Sequence, residues 1–184
     1  MLNRNEALNL VRTRVRKKNM EYHMVEVESI MRALAEFLGE EKERWGLTGL
    51  LHDIDFEETE KIPSEHGVRA EGILKGFVQQ DVIEAIKAHN FDYTGVSPES
   101  KMAKGLIASD AVAGLLVACA LVMPSKRIAE VRVETVVKKF RETDFAKRVD
   151  RNRILHCEQL GLDKEVFIRI ALEGLMAISS EVGI

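Results

Sequence analysis

His52 and Asp53 are adjacent at the end of an apolar segment, with His23 upstream and His66, His89 and Asp110 downstream. An imidazole beside a carboxylate is a poor element of an apolar core and a good pair of metal ligands. The six residues are spaced so that different helices can contribute them. Mixed nitrogen and oxygen donors suit Mn, Fe, Co, Ni or Zn better than Mg or Ca. One or two such divalent transition metal ions activate water for hydrolysis, two of them when about 3.5–4 Å apart.

The elements that must position these groups have helical spacing almost throughout, and the chain reads as all-α. Helices are predicted over 5–18, 22–38, 41–52, 65–77, 81–89 and 99–123, then over 133–141, 143–148, 151–160 and 163–182. Ser64 and Asp81 are read as N-caps, Gly39 as a C-terminal stop, and 55–63 and 90–98 as polar loops. His23 shares a face with Val27 and Ile30, His66 with Ala70, Ile73 and Phe77, and His89 with Val82 and Ile86. Asp110 follows Ala103, Leu106 and Ile107, with no lysine or arginine on that face. A carboxylate pointed inward there costs several kcal/mol, roughly, unless it is paired or bound to a cation. A lone inward histidine is more often a hydrogen-bonded core residue than a ligand. The joint occurrence of four histidines and two aspartates favours a metal site.

The chain has 184 residues, 46% apolar and 31% charged, with three prolines and a net charge of −3. That fits a single domain over 1–184, with a core at about 20–120 and a helical extension at about 125–184. It argues against a β-sandwich, disorder and an overall polyanion-binding character. Cys119 and Cys157 make no disulfide framework, which fits a reducing, cytoplasmic setting. The apolar run 105–123 is interrupted by Asp110, so it reads as a helix buried in protein, with no membrane partner. His156, beside Cys157 and Glu158, reads as surface polar. The apolar helix from Val166 to Ile178 packs either in cis or across a homodimer.

The order His23, His52-Asp53, Asp110 resembles the H…HD…D signature of the HD-domain superfamily of metal-dependent phosphohydrolases. Gly49-Leu50-Leu51-His52-Asp53-Ile54 is similar to its central motif, and Ala108-Ser109-Asp110-Ala111 to its final aspartate segment. The resemblance covers roughly residues 20–120 and implies an all-α helical bundle. By it, His23, His52, Asp53 and Asp110 hold a first metal, and Asp53 bridges to a second metal held by His66 and His89. The subfamily text HDIG reads His52-Asp53-Ile54-Asp55 here, with an acid in place of glycine. No GYP segment follows, which argues against cyclic di-GMP hydrolysis. The pair also lacks the closely following lysine associated with diadenosine tetraphosphate hydrolases.

The chemistry implied is cleavage of a phosphate ester of a small molecule, a nucleotide being the leading class. Asp53 is the catalytic carboxylate at the metals, and Asp55 and Glu57 are candidates to protonate a leaving alkoxide. Lys101 and Lys104 precede Asp110 and are candidates to contact phosphate. The stretch 126–153 holds ten basic and five acidic residues. Lys138, Lys139 and Arg141 are its best candidates for a phosphate-attracting wall, against the alternative of a solvated face with ion pairs. Few aromatic residues interleave with these charges, so single-stranded nucleic acid is a poor fit as partner. Two other functions stay open: a regulatory HD-type binding module without turnover, and a di-iron HD oxygenase.

Overall fold

Apolar stripes at helical spacing become helices along the whole chain. The computed structural model describes residues 1–184. In chain order the helices are α1 (Arg4–Arg14), α2 (Lys18–Leu38), α3 (Lys42–Leu51), α4 (Phe56–Thr59), α5 (Val68–Leu74), α6 (Gln80–His89), α7 (Phe91–Thr94), α8 (Lys101–Leu121), α9 (Val133–Arg141), α10 (Arg151–Ile154), α11 (Lys164–Ala177) and α12 (Ser179–Val182). Short 3₁₀ segments occupy Pro63–Glu65, Ile128–Glu130 and Leu155–Leu160. There is no sheet; a single bridge joins Lys75 and Val78. The fold is an all-α bundle.

Local chemistry fixes several helix ends. Gly39 stops α2 in the left-handed region at φ 69°, where a Cβ is unfavourable. The Glu41 side chain accepts from the N–H groups of Glu43 and Arg44 and starts α3. Ser100 accepts from the Ala103 N–H and starts α8. α2 and α3 then approach closely because Gly49 carries no side chain: a Cβ there would lie 2.8 Å from the Val27 carbonyl oxygen and 2.9 Å from Glu28 Cα.

α8 is the central helix, contacting α2, α3, α6, α9, α10 and α11. By length and composition it is apolar enough to cross a membrane, with a mean hydropathy of 1.7 over its most apolar window. Here Leu106, Val112, Leu115 and Leu116 are fully enclosed by other helices. α11 packs on α2, where a Cβ at Gly174 would lie 2.9 Å from the Ser29 carbonyl oxygen, and its Phe167, Ala171 and Leu175 are fully buried within the chain. One connected cluster of 48 buried apolar side chains runs from Ala7 to Val182. Burying a large aliphatic side chain contributes roughly 1.5–3 kcal/mol, so this cluster dominates the driving force.

Several boundaries differ from those predicted. α1 ends at Arg14 and α2 begins at Lys18, earlier than expected, which puts His23 in the second turn of α2. Ser64 caps nothing; it lies in a 3₁₀ turn, and α5 starts only after Gly67, at φ 83°. Phe77, expected inward, is 52% exposed because α5 ends at Leu74. Asp81 lies inside α6 and pairs with Arg44. The expected loop 55–63 contains α4, and 90–98 contains α7. Residues 143–148 form turns rather than a helix.

Candidate metal centre

The chemistry-bearing side chains converge between α2, α3, α6 and α8. His52 continues the last turn of α3. Its Nδ1 lies 2.8 Å from the Gly49 carbonyl oxygen, which can only accept, so Nδ1 carries the proton. The lone pair is thereby left on Nε2, which is buried and has no hydrogen-bond partner. That Nε2 faces Asp53 Oδ1 at 3.4 Å and Asp110 Oδ1 at 3.9 Å. His89, the last residue of α6, likewise donates from Nδ1 to the Ile86 carbonyl. Its Nε2 lies 3.5 Å from Asp53 Oδ1 and 3.1 Å from His66 Nε2. His23 reaches across from α2, with Nε2 3.0 Å from Asp110 Oδ1.

His66 arrives by a different route. It lies outside any helix, in the turn between Pro63–Glu65 and α5. The carboxylate of Asp55 fixes it there. Asp55 accepts from His66 Nδ1 at 3.0 Å and from the backbone N–H groups of Gly67 and Ala70, each at 2.9 Å. One buried side chain thus orients the imidazole and caps α5. His66 Nε2 consequently points at Asp53 Oδ1, 3.1 Å away.

Two sets of potential ligands share Asp53: His23, His52 and Asp53 on one side, and Asp53, His66 and His89 on the other. Within each set the ligand atoms lie within 4.8 Å of one another. Asp110 borders the first set through Oδ1. These residues fit a divalent cation. They present imidazole nitrogens and carboxylates, a buried unpartnered His52 Nε2, and second-layer acceptors that fix the tautomers.

Without a cation the cluster holds itself together by protons. Burial disfavours a charged His23, but its hydrogen bond to Asp110 and the charges of Asp110 and Asp53 outweigh this and raise it to about 9. Burial also opposes a charged His66, and its bonds to Asp53 and Asp55 raise it to about 10. Both partner aspartates move the other way: burial favours their neutral form, but the surrounding imidazoles hold Asp53 and Asp110 below the ordinary carboxylate range. Burial pushes His52 down, keeping it neutral. Glu26, one turn after His23 and 3.9 Å from its Nδ1, is enclosed, and burial raises its carboxyl group.

All six residues expected as ligands are therefore brought together. The expected supporting residues are not. Asp55 is fully buried with its oxygens occupied by three donors, so it does not stand at a cleft mouth as a proton donor. Glu57 accepts from the backbone N–H groups of Arg16 and Lys17. Lys101 pairs with Glu40, nine residues ahead of Asp110 and hence about 13.5 Å along the helix. Lys104 forms no ion pair with a site residue. Lys139 pairs with Glu142 and lies over Phe145, while Lys138 and Arg141 line a groove with Glu165 and Arg169. The basic segment reaches the site through Arg153, whose Nη2 lies 3.8 Å from Asp110 Oδ2. Nothing in local sequence distinguishes Arg153 from the other nine basic residues of that stretch. His156 is not simply surface polar: its ring lies against Phe91 and its Nδ1 is buried. The acid at position 55, where the HDIG text has glycine, is the one sequence sign of the Asp55 scaffold.

An all-α bundle with histidines and aspartates from four helices and one turn, sharing a central carboxylate, defines a metal-binding class of helical protein. Residues 20–115 match the HD domain family, and the chain belongs to that family. HD domains bind divalent metals and are generally hydrolases. The chain is also similar to Ribonuclease Y of Oleidesulfovibrio alaskensis (strain ATCC BAA-1058 / DSM 17464 / G20). The two are 33% identical over 98 residues, which cover 53% of this chain and 18% of that protein. No solved structure matches.

Proposed function

We propose that this chain is a metal-dependent phosphohydrolase that cleaves a phosphate ester of a small molecule, with nucleotides as the leading class. The observation carrying this reading is the pair of ligand sets joined at Asp53. His23, His52, Asp53 and Asp110 would hold one cation, and Asp53, His66 and His89 a second. Bound divalent metals supply an activated water and neutralise charge developing on the phosphoryl oxygens. The chain's own residues fix the geometry. The Gly49 and Ile86 carbonyls and the Asp55 carboxylate aim Nε2 of His52, His89 and His66 inward. The donor chemistry favours Mn, Fe, Co, Ni or Zn.

The test is turnover of a panel of phosphate esters by protein loaded separately with Mn, Co, Ni, Fe or Zn. Nucleoside monophosphates and a short oligoribonucleotide belong in that panel, the latter because the relative is named as a ribonuclease. Release of inorganic phosphate from a nucleotide supports the reading. Cleavage of the oligoribonucleotide alone replaces the substrate class. Tight binding without turnover by any loaded form marks a binding module, and substrate-dependent oxygen uptake by the iron form marks an oxygenase.

A further inference from the structure

Arg153, from outside the HD-matched residues, is the one lysine or arginine within 4 Å of a ligand carboxylate. Arg153 lies in α10. Its Nη1 is 3.0 Å from Asp92 Oδ2, and its Nη2 donates to the His89 carbonyl and stands 3.8 Å from Asp110 Oδ2. The guanidinium sits over the Phe91 ring, 5.6 Å from the centroid. Its side chain is 18% exposed. Ring contact and a planar fork fix an arginine in this position; an ammonium on a flexible stem would not be fixed in this way.

The neighbouring segment is built to deliver it. Two residues earlier, the Arg151 guanidinium donates to the carbonyls of Glu142, Phe145, Ala146 and Val149. That gathers the turns before α10 around one side chain. Val149 then rests on α8 where Gly114 lacks a side chain, one helical turn beyond Asp110; a Cβ at Gly114 would be 3.2 Å from Val149 Cγ2. The base of α10 is thus seated on the helix that carries a ligand.

A fixed cation at the edge of a cation site, even one paired with Asp92, adds to the field that draws an anion in with the metals. With two divalent ions bound, Asp53 and Asp110 would set two negative charges against four positive ones, with Arg153 offset by Asp92. The excess of two charges that would be left before the bound water ionises matches a dianion. We propose that the Arg153 guanidinium, held beside Asp110, binds the phosphoryl group of the substrate, and that it selects a terminal phosphomonoester over a singly charged phosphodiester. This rests on the phosphohydrolase reading but concerns binding, so it is tested without turnover.

The experiment measures calorimetric binding of inorganic phosphate and of dimethyl phosphate to the Mn-loaded full chain, for wild type, Arg153→Met and Arg153→Lys, with metal stoichiometry determined on each. The expected result is tighter binding of phosphate than of dimethyl phosphate by wild type. Phosphate affinity should fall about 10- to 100-fold in Arg153→Met, the range of a lost charge-assisted hydrogen bond, with metal content unchanged. Arg153→Lys should recover part of the loss. Unchanged phosphate affinity in both variants overturns the proposal, as does loss of metal in both, which would make Arg153 a support for Asp110 and His89. Equal binding of the two probes by wild type overturns the selectivity. Arginine-dependent phosphate binding without hydrolysis of any ester would sink the hydrolase reading and leave this one standing.

Discussion

Asp53 is the one residue on which both ligand sets depend, and Asp55 the one that governs only the second. Replacing Asp53 with Asn removes the shared negative charge while keeping the volume. Both cations should be lost, giving a stoichiometry near zero by elemental analysis after desalting. Asp55→Asn should act more selectively. Its amide cannot accept from His66 Nδ1 and both backbone N–H groups as the carboxylate does, so His66 loses its fixed orientation. Loss of a second-layer partner lowers metal affinity by about 10- to 100-fold. The expected outcome is retention of one cation and weakening of the other; two cations held with unchanged affinity would refute the scaffold role. The two aspartates also show what sequence can carry at this scale. The ligand nature of Asp53 is visible because an inward carboxylate beside a histidine needs an explanation. The acids that follow position 55 make that stretch look solvated, and beyond the acid standing where the HDIG text has glycine, nothing local reveals that Asp55 turns inward to meet Gly67 and Ala70.

At the scale of elements, the α2–α3 contact determines whether His23 and His52 face one another, and Gly49 sets that contact. A methyl group at position 49 meets the backbone of Val27 and Glu28, which a rotamer change cannot relieve. The Gly49 carbonyl also orients His52. Gly49→Ala should therefore lower stability by about 1–3 kcal/mol, the range for overpacking. For a chain of this length each kcal/mol corresponds to about 2–4 °C in the melting temperature. Metal affinity should fall in parallel, and calorimetric melting with metal titration checks both. A variant that melts and binds metal as wild type does would show that the helices adjust without cost. Helical phase alone makes His23, His89 and Asp110 legible, because each lies on a helix whose inner face is set by its apolar neighbours. The same reasoning applied to His66 reaches the right residue for the wrong reason, since Gly67 and the preceding 3₁₀ turn replace the expected helix start. Arg153 is invisible at this level. Its position depends on turns folded around Arg151 and on a seat at Gly114, contacts between residues distant in sequence that no periodicity encodes.

Across the whole molecule, proton binding and metal binding compete for the same atoms, and the sign of that competition is fixed by the imidazoles. In the metal-free fold His23 is raised to about 9 and His66 to about 10, above the ordinary histidine value near 6.5. Their ion pairs therefore contribute stability that is fully present below about pH 6.5 and is lost as pH rises through about 9 and 10. Asp53 and Asp110 are depressed, so their contribution is present above the ordinary carboxylate range and fades only in acid, outside this window. Cations bound at the two sets require His23 and His66 neutral, one imidazole for each cation, so at pH 7 their uptake must expel both protons. Metal affinity should rise between pH 6 and 8.5 by up to about tenfold per proton per pH unit, with about two protons released near pH 7. The metal-free protein should lose stability over the same interval. At metal concentrations about 100 times the dissociation constant, binding adds about 2.7 kcal/mol to stability. Melting the protein with chelator and with Mn at pH 6, 7 and 8.5 should show the gap between the two curves widening with pH. Titrations in buffers of different ionisation enthalpy count the protons directly. A gap that stays constant, or uptake without proton release, would mean that His23 and His66 are neutral before the metal arrives and that the aspartates hold the cluster together by other means.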